Sequence, residues 1–327
     1  MADTIKILGQ EAGDDYTTIA DARADIPANI VTHGGDNWVI QVRSDANYGS
    51  FQFPLSVTDA THKIIVEAFS GDEVDGTGTG AGFVSGTESA TGGGVVGAVT
   101  TSTSESIVEI RNLKIISTDA AVPAIRLGSE RNKVFSGCFI SGAGSGIEIV
   151  NSSANGFSLI NCIIADCGGE GTNWRNANAS SDIIISGLTV VNSVGSGLDD
   201  RGFGSAAFIE SVRNVFCFDN SLDFRTNVSD SNVDYLASGD TTATAEAATT
   251  GYNNRTTADF VDYAGGNYNL ASGSSLVGLG EGGADIGATL GGAATPTTIT
   301  ASGAGVRQLI GNQYMAVAAS RLNGVLQ

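Results

Sequence analysis

The chain is predicted to be all-β and to fold as a parallel β-helix. Three observations predict it: a repeat of near-constant length, alternating apolar residues inside each copy, and Asn or Gly at one fixed place. Asn112, Gly137, Asn161, Gly187 and Asn214 follow one another at steps of 25, 24, 26 and 27 residues. An apolar residue precedes each (Ile110, Phe135, Leu159, Ile185, Val212), and another follows directly (Leu113, Cys138, Cys162, Leu188, Val215). A third comes two positions after that (Ile115, Ile140, Ile164, Val190, Cys217). A repeat of this length signals a solenoid. Apolar residues at every second position have the period of a strand. The Asn/Gly slot breaks that alternation with a corner, where a positive φ suits Gly and is tolerated by Asn. A helical array fits poorly, because Gly is 45 of 327 residues and the runs are β-branched, as in Ile183-Ile184-Ile185.

The elements can be taken in order. Residues 4–8 read as a strand, and residues 15–23 as a short helix capped by Asp or Thr. Such a helix can plug the open end of a solenoid. Residues 38–42 and 63–68 read as strands of the first coils. Residues 70–105, rich in Gly, Thr and Ser, read as a long excursion or flexible loop. The clean repeat runs over about 106–225. After each corner comes a second strand: 124–127, 146–149, 197–200 and 221–224, with 173–176 in the coil between. Residues 238–250 form another Thr/Ala/Ser-rich stretch. The expected organisation is therefore an N-terminal cap and irregular coils over 1–100, the β-helix over 101–290, and an appended C-terminal segment over 291–327.

Composition limits the function. Lys plus Arg is 16 and Asp plus Glu is 35, a net charge of −19. That excludes a generally basic surface for nucleic acid, and no apolar run approaches a membrane span. Residues 1–6 carry no export signal, so synthesis in the cytoplasm is expected. Of the four cysteines, Cys138, Cys162 and Cys217 occupy apolar ladder slots, where Cys acts as a small hydrophobe. Cys167 stands five residues from Cys162, a spacing without metal-ligand character and without His partners. No cofactor or metal is expected.

Two blocks carry a resemblance. Phe260-Val261-Asp262, Asn267-Tyr268-Asn269-Leu270, residues 273–278 and Ala284-Asp285-Ile286-Gly287-Ala288 occur in that order. They resemble the closing motif of bacterial and phage right-handed parallel β-helix proteins, whose fold is pectate-lyase-like. Residues 4–8, 15–20 and 58–66 are similar to the opening blocks of the phage type. The closing motif departs from its usual form, because Thr289-Leu290-Gly291-Gly292 follows Ala288. The resemblance implies a right-handed, single-stranded β-helix and a structural protein of a virion, made in the host cytoplasm. Capsid decoration is the expected role, with a tail fibre or spike as the other form. It also implies a homotrimer and a partner in the major capsid protein or another virion protein.

Many β-helix proteins cleave polysaccharides, so carboxylates on neighbouring coils bear on a second reading, a depolymerase of host surface glycan. The candidates are Asp199 and Asp200 beside Arg201, with Asp223 one coil later and Glu148 two coils earlier. The plain alternative is the solvated edge of an acidic protein. A pectinase-like hydrolase would add a downstream His-Gly and an Arg-x-Lys. Here His33 and His62 both precede the regular coils, and no lysine follows Lys133. Residues 72–76 have the flavour of a calcium loop without its ligand order. The reading leans away from an enzyme.

The outward positions after the corner point elsewhere. Lys114, Phe139, Ile163, Thr189 and Phe216 form one row, and Ile116, Ser141, Ala165, Val191 and Phe218 the next. An exposed strip of Phe139, Ile163, Val191, Phe216 and Phe218 would mark a partner interface. The alternative is that the 70–105 loop or the tail folds over it. Residues 291–327, with Leu309, Ile310 and Met315 among their apolar residues, are too apolar for a disordered polar tail. They must bury that surface on a sister subunit, on another virion protein, or on their own solenoid.

Overall fold

The structure is a computed structural model. It describes residues 3–46, 48–49, 51–52, 56, 58–59, 61–85, 99–100, 107–127, 131–149, 155–174, 183–199, 209–225, 232–291, 307–310 and 313–316. The chain is a parallel β-helix. A coil consists of a strand, a corner, a second strand, a turn and a third strand. Among the described residues, five regular coils run over 108–127, 131–149, 155–174, 183–199 and 209–225, and Ile64–Ala68, Gly82–Ser85 and Val99–Thr100 supply the same three strands for the coil before them.

The stacking register follows the apolar pattern. Ile40, Val66, Ile110, Phe135, Leu159, Ile185, Val212 and Val233 share one inward column. Past the corner, Cys162, Leu188, Val215 and Leu236 share another. The third strands stack separately in a seven-stranded sheet that runs from Phe51–Gln52 to Leu222–Arg225. These faces enclose one continuous core, in which Phe135, Phe157 and Trp174 meet edge to face at 6.1 and 6.5 Å. All four cysteines are free thiols buried in the structure, and burial pushes the Cys138, Cys167 and Cys217 thiols upward.

The end of the solenoid near the N-terminus is sealed as its sequence requires. The helix is Ile19–Ala24, and Thr18 is its N-cap, accepting from the Asp21 N–H at 3.2 Å. Ala22 on this helix is fully buried and joins the core with Leu8 and Trp38. The strand Thr4–Leu8 is in register with Trp38–Val42, so regular stacking begins there.

The repeat also runs further than the Asn/Gly pattern. Val233–Ser238 stacks on the fifth coil and Gly251–Tyr252 stacks on it in turn, on either side of the Thr/Ala/Ser-rich stretch 238–250. Between them, the helix Ala243–Glu246 buries Ala243 over the end of the core. Part of the expected excursion at 70–105 is likewise a coil, because Gly82–Ser85 and Val99–Thr100 are stacked strands. Residues 307–310 and 313–316 form an antiparallel hairpin.

Candidate functional site

The corner column sits where the repeat places it. Asn112, Gly137, Asn161, Gly187 and Asn214 have φ of 56°, 63°, 49°, 65° and 59°. Sequence reasoning missed a sixth member, Tyr235 at 55°, because a tyrosine carries no Asn/Gly signal. It also missed a second left-handed column at the far end of the post-corner strands, made of Asp166, Asn192 and Asp219 at 55°, 56° and 54°. The signal was present: these Asx residues recur at steps of 26 and 27, the same steps that separate Asn161, Gly187 and Asn214. At Gly137 the choice of Gly has a second cause, since a Cβ there would lie 2.2 Å from the Asn112 side-chain oxygen.

The apolar strip is where the structure corrects the sequence reading. Phe139, Ile163 and Phe216 do stack in one row, and Val191 and Phe218 in the next. They are not an open interface. Phe139, Ile163, Val191 and Phe216 are buried and Phe218 is half-buried, beneath Phe260, Tyr268, Leu270, Leu276, Ile286, Ala288 and Leu290 of the same chain. Val74, from the loop that was expected to be excursion, joins this second core. Phe216 stacks on Phe260 at 4.9 Å, and Phe218 meets Tyr263 edge-on at 5.4 Å. The physical reason is that a row of large apolar side chains on an outward face needs a cover, and residues 260–290 lie across it as a strap. This resolves the two alternatives in favour of cover in cis, by the closing motif itself and by the loop around Val74.

Both corner columns hold the strap in place. Asn161 donates from Nδ2 to the Thr289 carbonyl at 2.8 Å and accepts from the Thr289 N–H at 2.9 Å. Asn214 accepts from the Glu281 N–H at 2.8 Å, and its own carbonyl accepts from the Gly287 N–H at 3.0 Å. Thr189 Oγ1 accepts from the Ala288 N–H at 2.8 Å. In the second column, Tyr268 donates to Asp166 at 2.9 Å, Asn192 donates to Asp166 at 2.7 Å, and Tyr263 donates to Asp219. Burial and the Asp166 charge push the Tyr268 hydroxyl up to about 12, so it remains a donor at neutral pH.

Among the described residues, the candidates Asp199 and Asp223 are both buried and do not line an open groove. Asp199 stacks in register with Asn173 and Arg225, and that row continues to Glu148 and Arg126. Arg126 lies 3.5 Å from Glu148. Asp223 belongs to a different row, because its neighbours Leu222 and Phe224 pair with Ser196 and Leu198. As expected, Asp223 lies one coil later in the matching strand, but it stands level with Gly197, two residues along from the Asp199 row; an even offset keeps both side chains on the same face. Asp223 is 1% exposed and accepts from the Gly239 N–H at 2.7 Å, the Asp240 N–H at 3.2 Å and the Asn220 side chain at 2.9 Å. Burial, with the nearby Asp240 charge, raises its carboxyl above the usual range. It anchors the turn that closes the last coil. Asp199 is fully buried; Asp200 and Arg201 lie outside the described residues.

The acidic loop at 72–76 spends its carboxylates on its own chain. Asp75 accepts from the Thr77 and Thr79 N–H groups at 2.9 and 3.1 Å, and Asp72 accepts from the Ser44 N–H and hydroxyl at 3.1 and 2.7 Å. Beside the turns, a shallow cleft of about 170 Å3 is lined by Val122, Pro123, Ser145 and Glu148. It is smaller than the ~300–1,000 Å3 of ordinary ligand pockets. Leu309, Ile310 and Met315 lie on the C-terminal hairpin, Leu309 paired with Tyr314, Ile310 with Gln313 and Met315 with Gln308.

No protein-family model matches the chain, and no curated protein matches it.

Proposed function

We propose that this chain is a non-enzymatic structural protein of a bacteriophage particle, a capsid decoration protein in its simplest form and a fibre or spike component otherwise. The observation that carries the proposal is how the carboxylates are used. An enzyme acting on glycans needs two of them facing each other across a groove, ~5–10 Å apart. Here Asp199 and Asp223 are both buried and Asp223 is tied to backbone amides, so neither faces an open groove. The resemblance of the opening and closing blocks to phage β-helix proteins supports the same reading. So does a body of high negative charge sealed by its own cap and strap. On this reading the coils form a rigid spacer, the chain is a homotrimer, and residues 292–327 attach it to the major capsid or another virion protein.

The test is made on particles and on glycans. Purified particles should contain the protein, and deleting residues 292–327 should abolish attachment while leaving the melting temperature of the β-helix unchanged. A truncated chain that melts earlier but still attaches would reject the attachment role. Release of reducing ends or unsaturated uronate from host capsule or exopolysaccharide would replace the whole reading with the depolymerase.

A further inference from the structure

The C-terminal hairpin pairs Arg307 with Ala316, Gln308 with Met315, Leu309 with Tyr314 and Ile310 with Gln313, across the two residues Gly311 and Asn312. A two-residue turn is closed by the carbonyl of its first residue accepting from the N–H of its fourth, here Ile310 and Gln313. Antiparallel pairs alternate between bonded and non-bonded. Gln308 and Met315 therefore form the next bonded pair. The backbone groups of Arg307, Leu309, Tyr314 and Ala316 point away from the hairpin, along its two edges. A hairpin of two strands is at best marginally stable in water and needs a third strand or a packed face.

Among the described residues, the apolar strip and two terminal strand edges of the solenoid are already engaged by its own chain. Its outward apolar strip lies under residues 260–290. The edge of Thr4–Leu8 is engaged by Tyr16 and Asp15, since Tyr16 N donates to the Ile7 carbonyl and Ile7 N donates to Asp15. The edge of Leu222–Arg225 is engaged by Asp240 and Thr242, which accept from the Asp223 and Phe224 N–H groups. Charge gives a second, independent indication. Residues 292–327 contain no Asp or Glu and two arginines, Arg307 and Arg321, so they carry +2 while residues 1–291 carry −21, together −19. Copies of so acidic a body repel one another, and the tail is where they can approach without facing carboxylates.

We propose that the hairpin pairs edge to edge with the hairpins of other copies of this chain, joining subunits through backbone hydrogen bonds. The partner is a second copy of the chain, and the contact is strand addition, in which main-chain groups supply affinity and side chains supply register. This rests on the reading of residues 292–327 as the assembly segment and names its mechanism.

The edges can be tested without dismantling the hairpin. Proline at Leu309 and Tyr314 removes one outward N–H from each edge and spares the internal bonded pairs. Alanine at the same two positions removes the side chains and keeps the N–H groups. Light scattering of the full chain should give a multiple of 33.1 kDa. The Leu309→Pro, Tyr314→Pro variant should fall to a single copy, while the Leu309→Ala, Tyr314→Ala variant should still associate, and the β-helix should melt at the same temperature in all three. A wild-type chain of one copy, or a proline variant that still associates, overturns the inference. A single-copy chain that nevertheless attaches to particles overturns only the inference. A chain that self-associates but is absent from particles overturns the virion reading and leaves the hairpin contact standing.

Discussion

The molecule has two cores, and they are built by different rules. The inner core is periodic. Its residues recur every coil, each on top of its equivalent, so an Ile or Leu in one coil meets an Ile, Leu or Cys in the next. The outer core is used once. Its floor is periodic, the row of Phe139, Ile163 and Phe216, but its roof comes from single residues at 74, 260, 268, 276 and 286. The inner core needs only stacking. The outer core needs one segment, distant in sequence, to return and be held by Asn161, Thr189 and Asn214. Cooperativity should therefore be global in the first and local in the second.

The largest expected effect separates the two. Leu188→Ala, in the inner column, should cost about 2–5 kcal/mol and lower the midpoint of global unfolding. Ile286→Ala removes a similar volume from the strap, yet should mainly speed amide exchange over residues 276–290. Equal loss of global stability in both variants, measured by denaturant melts, would show one core and not two.

The corner column gives the next effect. Gly187 holds φ at 65°, and a Cβ there has ordinary van der Waals room, so only the backbone conformation opposes a side chain. Gly187→Val should cost about 1–3 kcal/mol and should destabilise the coils themselves. A neutral result in thermal melts would mean that the corner tolerates β-branching and that the repeat rests on the apolar ladder alone.

Asn161→Gly is the mirror experiment. It preserves the left-handed corner and removes both side-chain bonds to Thr289, so it should loosen the strap by about 1–2 kcal/mol and leave the inner core intact. Exchange of the Thr289 amide is the readout, and an unchanged rate would deny Asn161 its clasping role.

Acid should act on the strap through Asp259, at its start. Burial pushes this carboxyl upward, but hydrogen bonds from Arg255, Ser274 and the Thr256 N–H outweigh burial and leave it below the usual range. A lowered folded-state value means a contribution that is complete above the unfolded value of about 3.9. It is lost as pH falls through the folded value. Strap protection should therefore weaken below about pH 4, and the pH dependence should be shallower in Asp259→Asn. Protection that grew as pH fell would contradict the sign.

How much of this was legible follows from periodicity. The interior columns, the corner and the third strands could be read because each residue was seen five times. The end of the solenoid could not: Tyr235 takes the corner without an Asn/Gly signal, and the last stacked strands are short and separated by a Thr/Ala/Ser-rich stretch. The rows of the strip were visible as Phe139, Ile163, Val191, Phe216 and Phe218, but not what covers them. A single outward apolar row looks the same whether a partner or the chain's own strap lies over it. The resemblance located the strap's residues without revealing their target. Asp223 was placed on the right strand and face, but its level was not legible, because the variable turn before Leu222–Arg225 slides it two residues from Asp199, and its burial under the following turn left no sequence signal.

The central claim is that the chain covers its own apolar strip. Hydrogen exchange of three backbone amides tests it most directly: Gly287, Ala288 and Thr289, which donate to the Asn214 carbonyl, Thr189 Oγ1 and Asn161 Oδ1. In the isolated full-length protein at neutral pH, all three should exchange at least a hundredfold more slowly than in an unstructured peptide, equivalent to about 2.7 kcal/mol of protection. Exchange of these amides at the unstructured rate, with the interior amide of Leu188 still protected, would mean that the strip stands open and that the strap belongs elsewhere.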